Sequence, residues 1–361
     1  MLPFRFVDSS LWQDLRGQSG SIIGNRITFA DNAFQWSDLE RFGVVLLGVE
    51  NGNNDALLNS IRRYFYKLHF HNDKLKLIDL GNIPNDMNVV SDCLFNLLKS
   101  NVLTILLNPS SAVLSDMYSQ AVKISKDISI TSIAAAISVE ELTDFFAAKD
   151  AKLTRYTALG YQTYFADPQH LKLLGKQSCE LVRLGAIRNK IIEAEPILRD
   201  THVLNINMNA VRASDGGSEQ LASPNGLYAE ELCQLAWYAG KGESLGLCAI
   251  NGFDSEGFTE TSAHLVAQTL WHLVEGFSVR KKELPTGDNI KRFIVDRGKA
   301  GEELVFFQSS ITGRWWMAVP IVGQELDSYV VVACTYDDYQ KASAHEIPDR
   351  WLFFYQKLNG M

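Results

Sequence analysis

Histidine, the side chain that most often binds metals and transfers protons, occurs in this sequence at spacings that do not build a site. His69 and His71 flank Phe70, so their rings would share one face of a strand but not of the helix predicted there. His264 and His272 are eight positions apart on a predicted helix, a separation of about 12 Å that is too long for one metal ion. No carboxylate pattern beside either pair completes a metal site. We therefore expect structural roles for these histidines.

The sequence also gives little indication of a reactive nucleophile or a phosphate-binding loop. The five cysteines lie far apart and form no C-x-x-C pair, which favours reduced, buried thiols in a cytoplasmic protein. No G-x-G-x-x-G, G-x-x-x-x-G-K-[ST] or G-x-S-x-G pattern is present. The glycine spacing in Gly240-Lys-Gly-Glu-Ser244 fits a helix end and a turn better than a phosphate loop. The cysteines are Cys93, Cys179, Cys233, Cys248 and Cys334.

Composition restricts the class of protein further. The chain has 361 residues, of which 46% are hydrophobic and 21% charged, and a net charge of −8. This balance is typical of a globular protein and argues against a general nucleic-acid binder, because such proteins carry basic surfaces. No apolar run reaches the about 18 residues that span a bilayer, and the first residues lack a signal-peptide pattern. We therefore expect a cytoplasmic protein with no nucleic-acid partner and no direct membrane insertion.

Short apolar runs alternate with longer helical patterns along most of the chain. Because the runs are continuously apolar, they favour strands that are covered on both faces. Their alternation with helices predicts a three-layer α/β/α fold around a mostly parallel sheet. The predicted strands cover residues 43–49, 76–80, 102–107, 128–133, 203–208 and 245–250. The predicted helices cover residues 56–68, 89–99, 112–125, 139–148, 227–238 and 262–280.

The pattern changes after Pro285, where short strand patterns separated by turns replace the α/β alternation. The first 40 residues are rich in aromatic side chains, which indicates a segment packed on the main body. The predicted division is therefore an N-terminal segment (1–41), an α/β domain (42–287) and a β-rich C-terminal extension (288–361). Strands are predicted in the extension at 303–308, 314–322 and 328–335, and an aromatic helix or extended segment at 348–358.

Seven short stretches occur in the order found in a known enzyme family. They cover residues 183–188, 195–200, 205–215, 228–231 and 265–276, and in the C-terminal part 314–317 and 347–351. Examples are Glu195-Pro-Ile-Leu-Arg-Asp200 and Tyr228-Ala-Glu-Glu231. Together they resemble the ureohydrolases (arginases, agmatinases and formimidoylglutamases), most of all the bacterial formimidoylglutamase-like branch. The resemblance extends from Phe42 to Pro285 and implies a ureohydrolase-like α/β/α fold and a homo-oligomer.

The resemblance also implies where the metal ligands of that family would stand. Its members hydrolyse guanidino or related C–N bonds with two manganese ions, which are held by G-G-x-H, D-A-H-x-D and D-x-D motifs. These motifs align with residues 108–111, 134–138 and 207–209, and the later E-x-N-P motif aligns with 249–252. The residues at the ligand positions and at the substrate-side glutamate are Ser111, Ala134, Ala136, Ser138, Asn207, Asn209 and Ala249.

None of these seven residues carries a formal charge. Two divalent ions bring four positive charges, which neutral oxygens cannot balance, and without a metal the pKa of a water stays near 15.7 instead of about 7. We therefore predict that manganese and any other cofactor are absent and that the chain has no catalytic residue. Asn207 and Asn209 keep the shape of aspartate without its charge and can hydrogen-bond in a metal-free pocket. The alternative is a shifted register that recruits Asp127, Asp215 and Asp254.

The lost ligand set predicts a pseudoenzyme that acts as a scaffold or protein-interaction subunit. Trp315 and Trp316 are candidate partner contacts, although neighbours on a strand face opposite sides and one is expected in the core. Lys281 and Lys282 belong to a basic segment that is either a solvated face or a partner surface. The resemblance to the bacterial branch indicates a cytoplasmic accessory of the type IX secretion and gliding machinery. The alternatives are a metal-free sensor of guanidino or amide molecules and a residual hydrolase of C–N bonds.

Overall fold

A computed structural model gives the structure of most of the chain. It describes residues 3–51, 55–125, 127–143, 146, 154–217, 221–252, 259–281, 283, 285, 287–296, 303–322 and 328–360. Within these ranges, no helix combines the length and the apolar character that crossing a membrane requires.

A sheet that has nine strands within the described residues forms the centre of the fold. All its neighbouring strands are parallel, which confirms the predicted α/β/α class. The strands are rich in buried Val, Ile and Leu because helices cover both faces. They are β1 (Thr28–Phe29), β2 (Val44–Glu50), β3 (Leu77–Pro84), β4 (Leu103–Leu107), β5 (Ser129–Ile133), β6 (Arg155–Tyr161), β7 (Glu180–Arg183), β8 (Val203–Asn207) and β9 (Leu247–Asn251). Their spatial order is β1-β3-β2-β4-β9-β8-β5-β6-β7.

Helices form one apolar layer on each face of the sheet. The described helices are α1 (Asp55–Lys67), α2 (Met87–Lys99), α3 (Ser111–Ile124), α4 (Pro168–Lys176), α5 (Leu184–Asn189), α6 (Ala194–Arg199), α7 (Ala229–Lys241) and α8 (Glu260–Ser278). Helices α1 and α5–α8 contribute to one layer, and α2–α4 contribute to the other. Side-chain caps fix where some of them begin: Asp86 accepts from the first N–H groups of α2, and Ser110 does so for α3.

Sequence patterns missed β1, β6, β7 and α4–α6. The helix predicted over residues 139–148 begins with a short 3-10 turn, Glu140–Leu142, and Thr143 and Phe146 after it are helical. The hydroxyl of Thr143 donates back to the carbonyl oxygen of Glu140 at 3.1 Å. Most of the second half of the predicted helix lies outside the described residues.

The N-terminal residues contact the sheet beside β3. The rings of Phe4, Phe34 and Trp36 pack with centroids 5.5, 5.9 and 6.0 Å apart. The backbone of Arg5 forms an antiparallel bridge with Asn82 of β3. Gly81 permits this close approach, because it has a φ of +83° and a Cβ there would lie 2.2 Å from the carbonyl oxygen of Arg5.

The C-terminal extension contains a separate antiparallel sheet, as its predicted β-rich character required. Over the described residues it has four strands in sequential order, and two helices cover one face. Residues 348–358, predicted as a helix or an extended segment, are helical, whereas β10 and α9 were not predicted. The elements are β10 (Ile290–Val295), β11 (Leu304–Ser309), β12 (Trp315–Pro320), β13 (Tyr329–Cys334), α9 (Tyr336–Ser343) and α10 (Asp349–Asn359).

The extension contacts the α/β domain at the edge where the parallel strands begin. Arg199, the last residue of α6, donates to the carbonyl oxygens of Trp315 at 3.0 Å and Cys334 at 3.2 Å. Arg350 of α10 pairs with Glu180, the first residue of β7. Parallel strands all begin at one edge and end at the other, so the extension lies opposite the edge that carries the aligned metal-ligand positions. We call its docking side the amino edge.

Candidate functional site

The aligned metal-ligand positions lie where four adjacent strands end. Strands β4, β9, β8 and β5 are neighbours in the sheet, and residues 108–111, 251–252, 207–209 and 134–138 follow or complete them. In open α/β sheets, the crevice outside the carboxyl ends of the strands is the usual place for a ligand. We call the region formed by these four segments the carboxyl edge.

The first segment of the carboxyl edge starts helix α3. Asn108 has a left-handed backbone with a φ of +56°. Ser110 is the N-cap, and its hydroxyl accepts from the N–H of Val113 at 3.4 Å. Ser111 is the first residue of the helix and is exposed. The position of the family's histidine is therefore occupied by a neutral hydroxyl.

Two amide hydrogen bonds connect the other segments of the carboxyl edge. Asn209 Oδ1 accepts from the backbone N–H of Ala135 at 2.9 Å, and Asn207 Oδ1 accepts from the N–H of Asn209 at 3.0 Å. The Asn207 amide also fills the space beside Gly252, where a Cβ would lie 2.0 Å from Asn207 Oδ1. Gly252 has a φ of +80°, so both backbone and space require glycine there. These contacts hold the ends of β5, β8 and β9 together.

Further side-chain amides form hydrogen bonds across the same strands at the level of Asn205, two residues before Asn207. Asn251 Nδ2 donates to Asn205 Oδ1 at 2.7 Å, and Asn205 Nδ2 donates to Ser132 Oγ at 3.2 Å. All three residues are buried, where a polar group left without a partner costs about 1–3 kcal/mol. The interior beneath the carboxyl edge is thus polar and neutral, and its groups pair with one another.

Two carboxylates, Glu140 and Glu141, lie beside the second segment of the carboxyl edge, and the sequence analysis selected neither. Glu141 stands in the 3-10 turn after the second segment. Burial raises its pKa, and hydrogen bonds from the hydroxyls of Ser111 and Ser138 act in the opposite direction. The structure therefore brings these two predicted positions together around Glu141. The consecutive carboxylates Glu140 and Glu141, directly after Ser138, are the sequence signal that could have identified it.

The candidate partner contacts lie away from this edge. Trp315 and Trp316 are only 7% and 6% exposed, and the guanidinium of Arg199 lies 4.7 Å from the centroid of the Trp316 ring. Both tryptophans therefore pack inside the chain, because each face of the C-terminal sheet is covered. Lys281 is exposed, and Lys282 lies outside the described residues.

Two of the three aspartates of the shifted register, Asp127 and Asp215, do not meet at the carboxyl edge. Asp127 precedes β5, which places it at the amino edge, and it pairs with Arg155 at 3.6 Å. Asp215 pairs with Arg212 at 2.7 Å. Asp254 lies outside the described residues. The two described members of the recruited set are therefore not brought together.

The donor set at the carboxyl edge does not fit a pair of manganese ions. Ala134 and Ala136 have no donor atom, and Ala249 is fully buried in an apolar layer. The side-chain oxygens of Asn207 and Asn209 are neutral and already accept backbone hydrogen bonds, so they cannot balance two divalent cations. In the part of the chain that the structure describes, no three His, Cys, Asp or Glu side chains are grouped to hold a metal ion.

The contacts of His69 and His264 and the burial of the cysteines are consistent with structural roles. His69 Nδ1 lies 2.6 Å from a serine hydroxyl, and His264 packs edge-on against Tyr64 with centroids 3.9 Å apart. All five cysteines are buried with free thiols. Burial raises the pKa of the Cys93 and Cys179 thiols to about 12. A thiol that stays protonated is a poor nucleophile.

Comparison with solved structures identifies the class of fold. The structure of formiminoglutamase from Trypanosoma cruzi with Mn2+ matches with a TM-score of 0.63 at 14% identity, over 72% of this chain and 99% of that one. Formimidoylglutamase from Bacillus subtilis matches at 0.60 and 16% identity, over 73% and 94%. Agmatine ureohydrolase from Thermoplasma volcanium matches at 0.51 and 13% identity, over 73% and 97%. No protein-family model and no curated protein sequence matches the chain.

The chain therefore has the arginase/ureohydrolase fold, with an additional antiparallel sheet at its C-terminus. The resemblance inferred from the sequence is confirmed at the level of the fold. Function rests on the side chains at the site rather than on the fold.

Proposed function

We propose that this chain is a catalytically inactive protein of ureohydrolase fold that contains no manganese and acts by binding a protein partner. The observation that carries this proposal is the bond across the carboxyl edge, in which Asn209 Oδ1 accepts from the N–H of Ala135 at 2.9 Å. A neutral amide there satisfies a backbone donor without adding charge. This bond supports an edge that is held together by neutral groups rather than by a cation.

The chemistry of C–N bond hydrolysis also supports an inactive protein. Attack on a guanidino or related C–N bond at neutral pH needs a strong nucleophile, which the family obtains from a metal-bound water of lowered pKa. The neutral residues at the carboxyl edge would bind two divalent cations poorly. Retention of the fold around such an edge supports a role in binding rather than in catalysis.

The test is the amount of bound metal. The purified protein is dialysed against excess Mn2+ and then against buffer, beside the T. cruzi formiminoglutamase as a positive control, and both are subjected to elemental analysis. We expect less than about one tenth of an equivalent per chain, and no turnover of formimidoylglutamate, agmatine or arginine. A content near about two equivalents, or turnover above the blank, would overturn the proposal and support the residual hydrolase.

Glu141 favours a second candidate function, a metal-free sensor of guanidino or amide molecules. Its carboxylate lies beside the hydroxyls of Ser111 and Ser138, and a carboxylate flanked by hydroxyls suits a cationic ligand. Thermal shift with arginine, agmatine and formimidoylglutamate tests this candidate. A shift that Glu141→Gln abolishes would support it, and no shift with any of the three would exclude this version.

On the resemblance alone, we extend the main proposal to a cytoplasmic homo-oligomer that binds a component of the type IX secretion and gliding machinery. Pull-down from native cells followed by mass spectrometry is expected to recover such a component. Recovery of none of its subunits would count against this extension. Light scattering during size-exclusion chromatography measures the oligomeric state.

A further inference from the structure

The two outermost strands of the central sheet differ in length, and therefore in how much backbone they offer to another chain. At one side, β1 has only two residues, and such a short strand offers little to pair with. At the other side, β7 has four residues and, among the described residues, is hydrogen-bonded as a strand to β6 alone. The outer backbone groups of an edge strand are a ready template for another extended chain.

A groove runs along this open strand. Its volume is about 390 Å³, and consecutive residues of β7, including the half-buried Leu181 and Val182, line it. One wall is α5, where Ala186 is exposed, and the opposite wall is α9 and α10 of the C-terminal extension. Four residues of extended chain at about 3.3 Å each match the length of β7. The groove is therefore as long as a short strand. Its two helical walls limit which segments can reach β7.

The rim of the groove is acidic. Five carboxylates and three cations line it, an excess of two negative charges. Each cation is paired with a carboxylate: Lys190 with Asp337, Lys341 with Asp349 and Arg350 with Glu180. The side chain of Asp349 is 96% exposed and so remains accessible to another cation. Lysine or arginine on an incoming segment would complement this rim and increase its rate of association.

We propose that an extended, basic segment of a protein partner binds in this groove as an added strand on β7. Main-chain hydrogen bonds to the strand would provide affinity, and the apolar floor and acidic rim would select small or β-branched residues flanked by lysine or arginine. The inference rests on the proposed function, in which the chain acts by binding a protein, and it names the surface and the chemistry of the partner.

The probe is a fluorescein-labelled peptide with lysine at both ends of an alternating valine–threonine core, and its counterpart has glutamate at both ends. Fluorescence anisotropy on the full chain measures binding, and hydrogen–deuterium exchange locates it. We expect the lysine peptide to bind more tightly than the glutamate peptide and to slow amide exchange in β7. Equal binding of both peptides, or protection elsewhere than β7, would overturn the proposal.

Two exposed alanines provide a matched pair of variants. Ala186→Trp fills the groove and should weaken binding of the lysine peptide at least about tenfold. Ala112→Trp makes the same change at an exposed helical position on the carboxyl edge and should leave binding unchanged. Both variants carry the same helix-propensity cost, and circular dichroism verifies that both fold. Equal affinities of the two variants would overturn the proposal.

Charge and self-association are tested separately. Asp349→Lys should weaken the lysine peptide about threefold at low salt and leave a neutral peptide unaffected. If the wild-type chain forms dimers that Ala186→Trp dissociates, the occupant is a second copy, and the partner segment proposed here is wrong. None of these measurements depends on metal content or turnover, so the proposed function stands or fails independently of them.

Discussion

Different kinds of interaction stabilise the two edges of the central sheet. At the carboxyl edge, neutral amides bond to backbone groups and to one another. At the amino edge, charged groups bond across to the C-terminal extension: Arg350 pairs with Glu180, and Arg199 pairs with Glu195 at 3.3 Å while donating to two carbonyl oxygens of the extension. One edge of the same sheet has no formal charge at the family's ligand positions, and the other carries many charges.

This difference shows what a charge needs in order to be stable inside a protein. Arg199 is only 4% exposed, and a buried cation is tolerated when a counterion and additional hydrogen bonds replace its water. The amino edge provides both through the extension. The carboxyl edge has no bound cation to serve as a counterion in our proposal, so facing aspartates there would repel each other. Asparagine removes that cost and keeps the hydrogen bonds.

The largest expected effect follows from removing a buried charge at the amino edge. Arg199→Ala removes a buried guanidinium that bonds to two carbonyl oxygens of the extension and leaves Glu195 with Arg314 alone, at 3.5 Å. We expect it to lower the free energy of unfolding by about 3–5 kcal/mol. Urea denaturation measures the loss, and limited proteolysis tests whether the extension becomes easier to cleave. The control is Arg5→Ala, whose side chain is 66% exposed and should cost about 0.5 kcal/mol or less. Equal losses in both variants would contradict the comparison.

A smaller loss is expected from breaking the amide bond at the carboxyl edge. Asn209→Ala leaves the N–H of Ala135 without an acceptor and should cost about 1–3 kcal/mol in urea denaturation. Asn209→Asp keeps an acceptor and should cost less. The double variant Asn207→Asp with Asn209→Asp should be less stable than either single variant in metal-free buffer, because the two carboxylates repel. A neutral Asn209→Ala would show that this bond does not hold the edge together.

The pH dependence of stability should reveal the buried carboxylate of the carboxyl edge. Burial raises the folded-state pKa of Glu141 above its usual 4.5, so above that pH the folded protein holds this proton more strongly than the unfolded chain. The contribution of Glu141 to stability therefore falls as the pH rises. We expect Glu141→Gln to have a higher Tm than the wild type at pH 7, with the difference shrinking as the pH is lowered toward 4.5.

The neighbouring carboxylate provides a control of opposite sign. A hydrogen bond from its own backbone N–H, and then one from Ser138, lower the pKa of Glu140. Its contribution to stability is present at neutral pH and is lost as the pH falls through the lowered pKa. Glu140→Gln should therefore lower the Tm at neutral pH, and the difference should disappear in acid. The same sign for both variants would contradict the assignment of burial to Glu141.

The smallest effect is expected from an exposed ion pair between the domain and the extension. Lys190 pairs with Asp337, and their side chains are 52% and 42% exposed. Lys190→Ala should leave the free energy of unfolding almost unchanged, because water and salt screen the pair. A loss as large as that of Arg199→Ala would mean that exposed charges, rather than buried ones, hold the extension in place.

Apolar pattern was sufficient to predict the strands with the clearest burial. Strands β2 and β4 are continuous apolar runs, and the structure buries them on both faces. Strands β6 and β7 were missed because Arg155 and Gly160 interrupt the first, and the second has only two apolar residues between Glu180 and Arg183. Their strand conformation depends on pairing with neighbours, which a local pattern does not contain.

The absence of charge at the seven aligned positions could also be predicted, since residue types are visible in the sequence once the resemblance supplies the alignment. The role of Glu141 could not, because Ser111 lies far from it in the chain. The burial of both Trp315 and Trp316 could not be predicted either, because it requires that each face of the C-terminal sheet be covered.

Residue types and their apolar periodicity were enough to predict an α/β/α fold, and with the resemblance they predict that the aligned ligand positions carry no charge, because residue type and periodicity are local properties of the chain. The folded structure alone decided that Asn209 bonds to Ala135, 74 positions away, and that the extension docks at the amino edge. Both contacts depend on the order of the strands, which places β5 beside β8. That order results from the packing of the whole sheet and its helices, and no single segment encodes it.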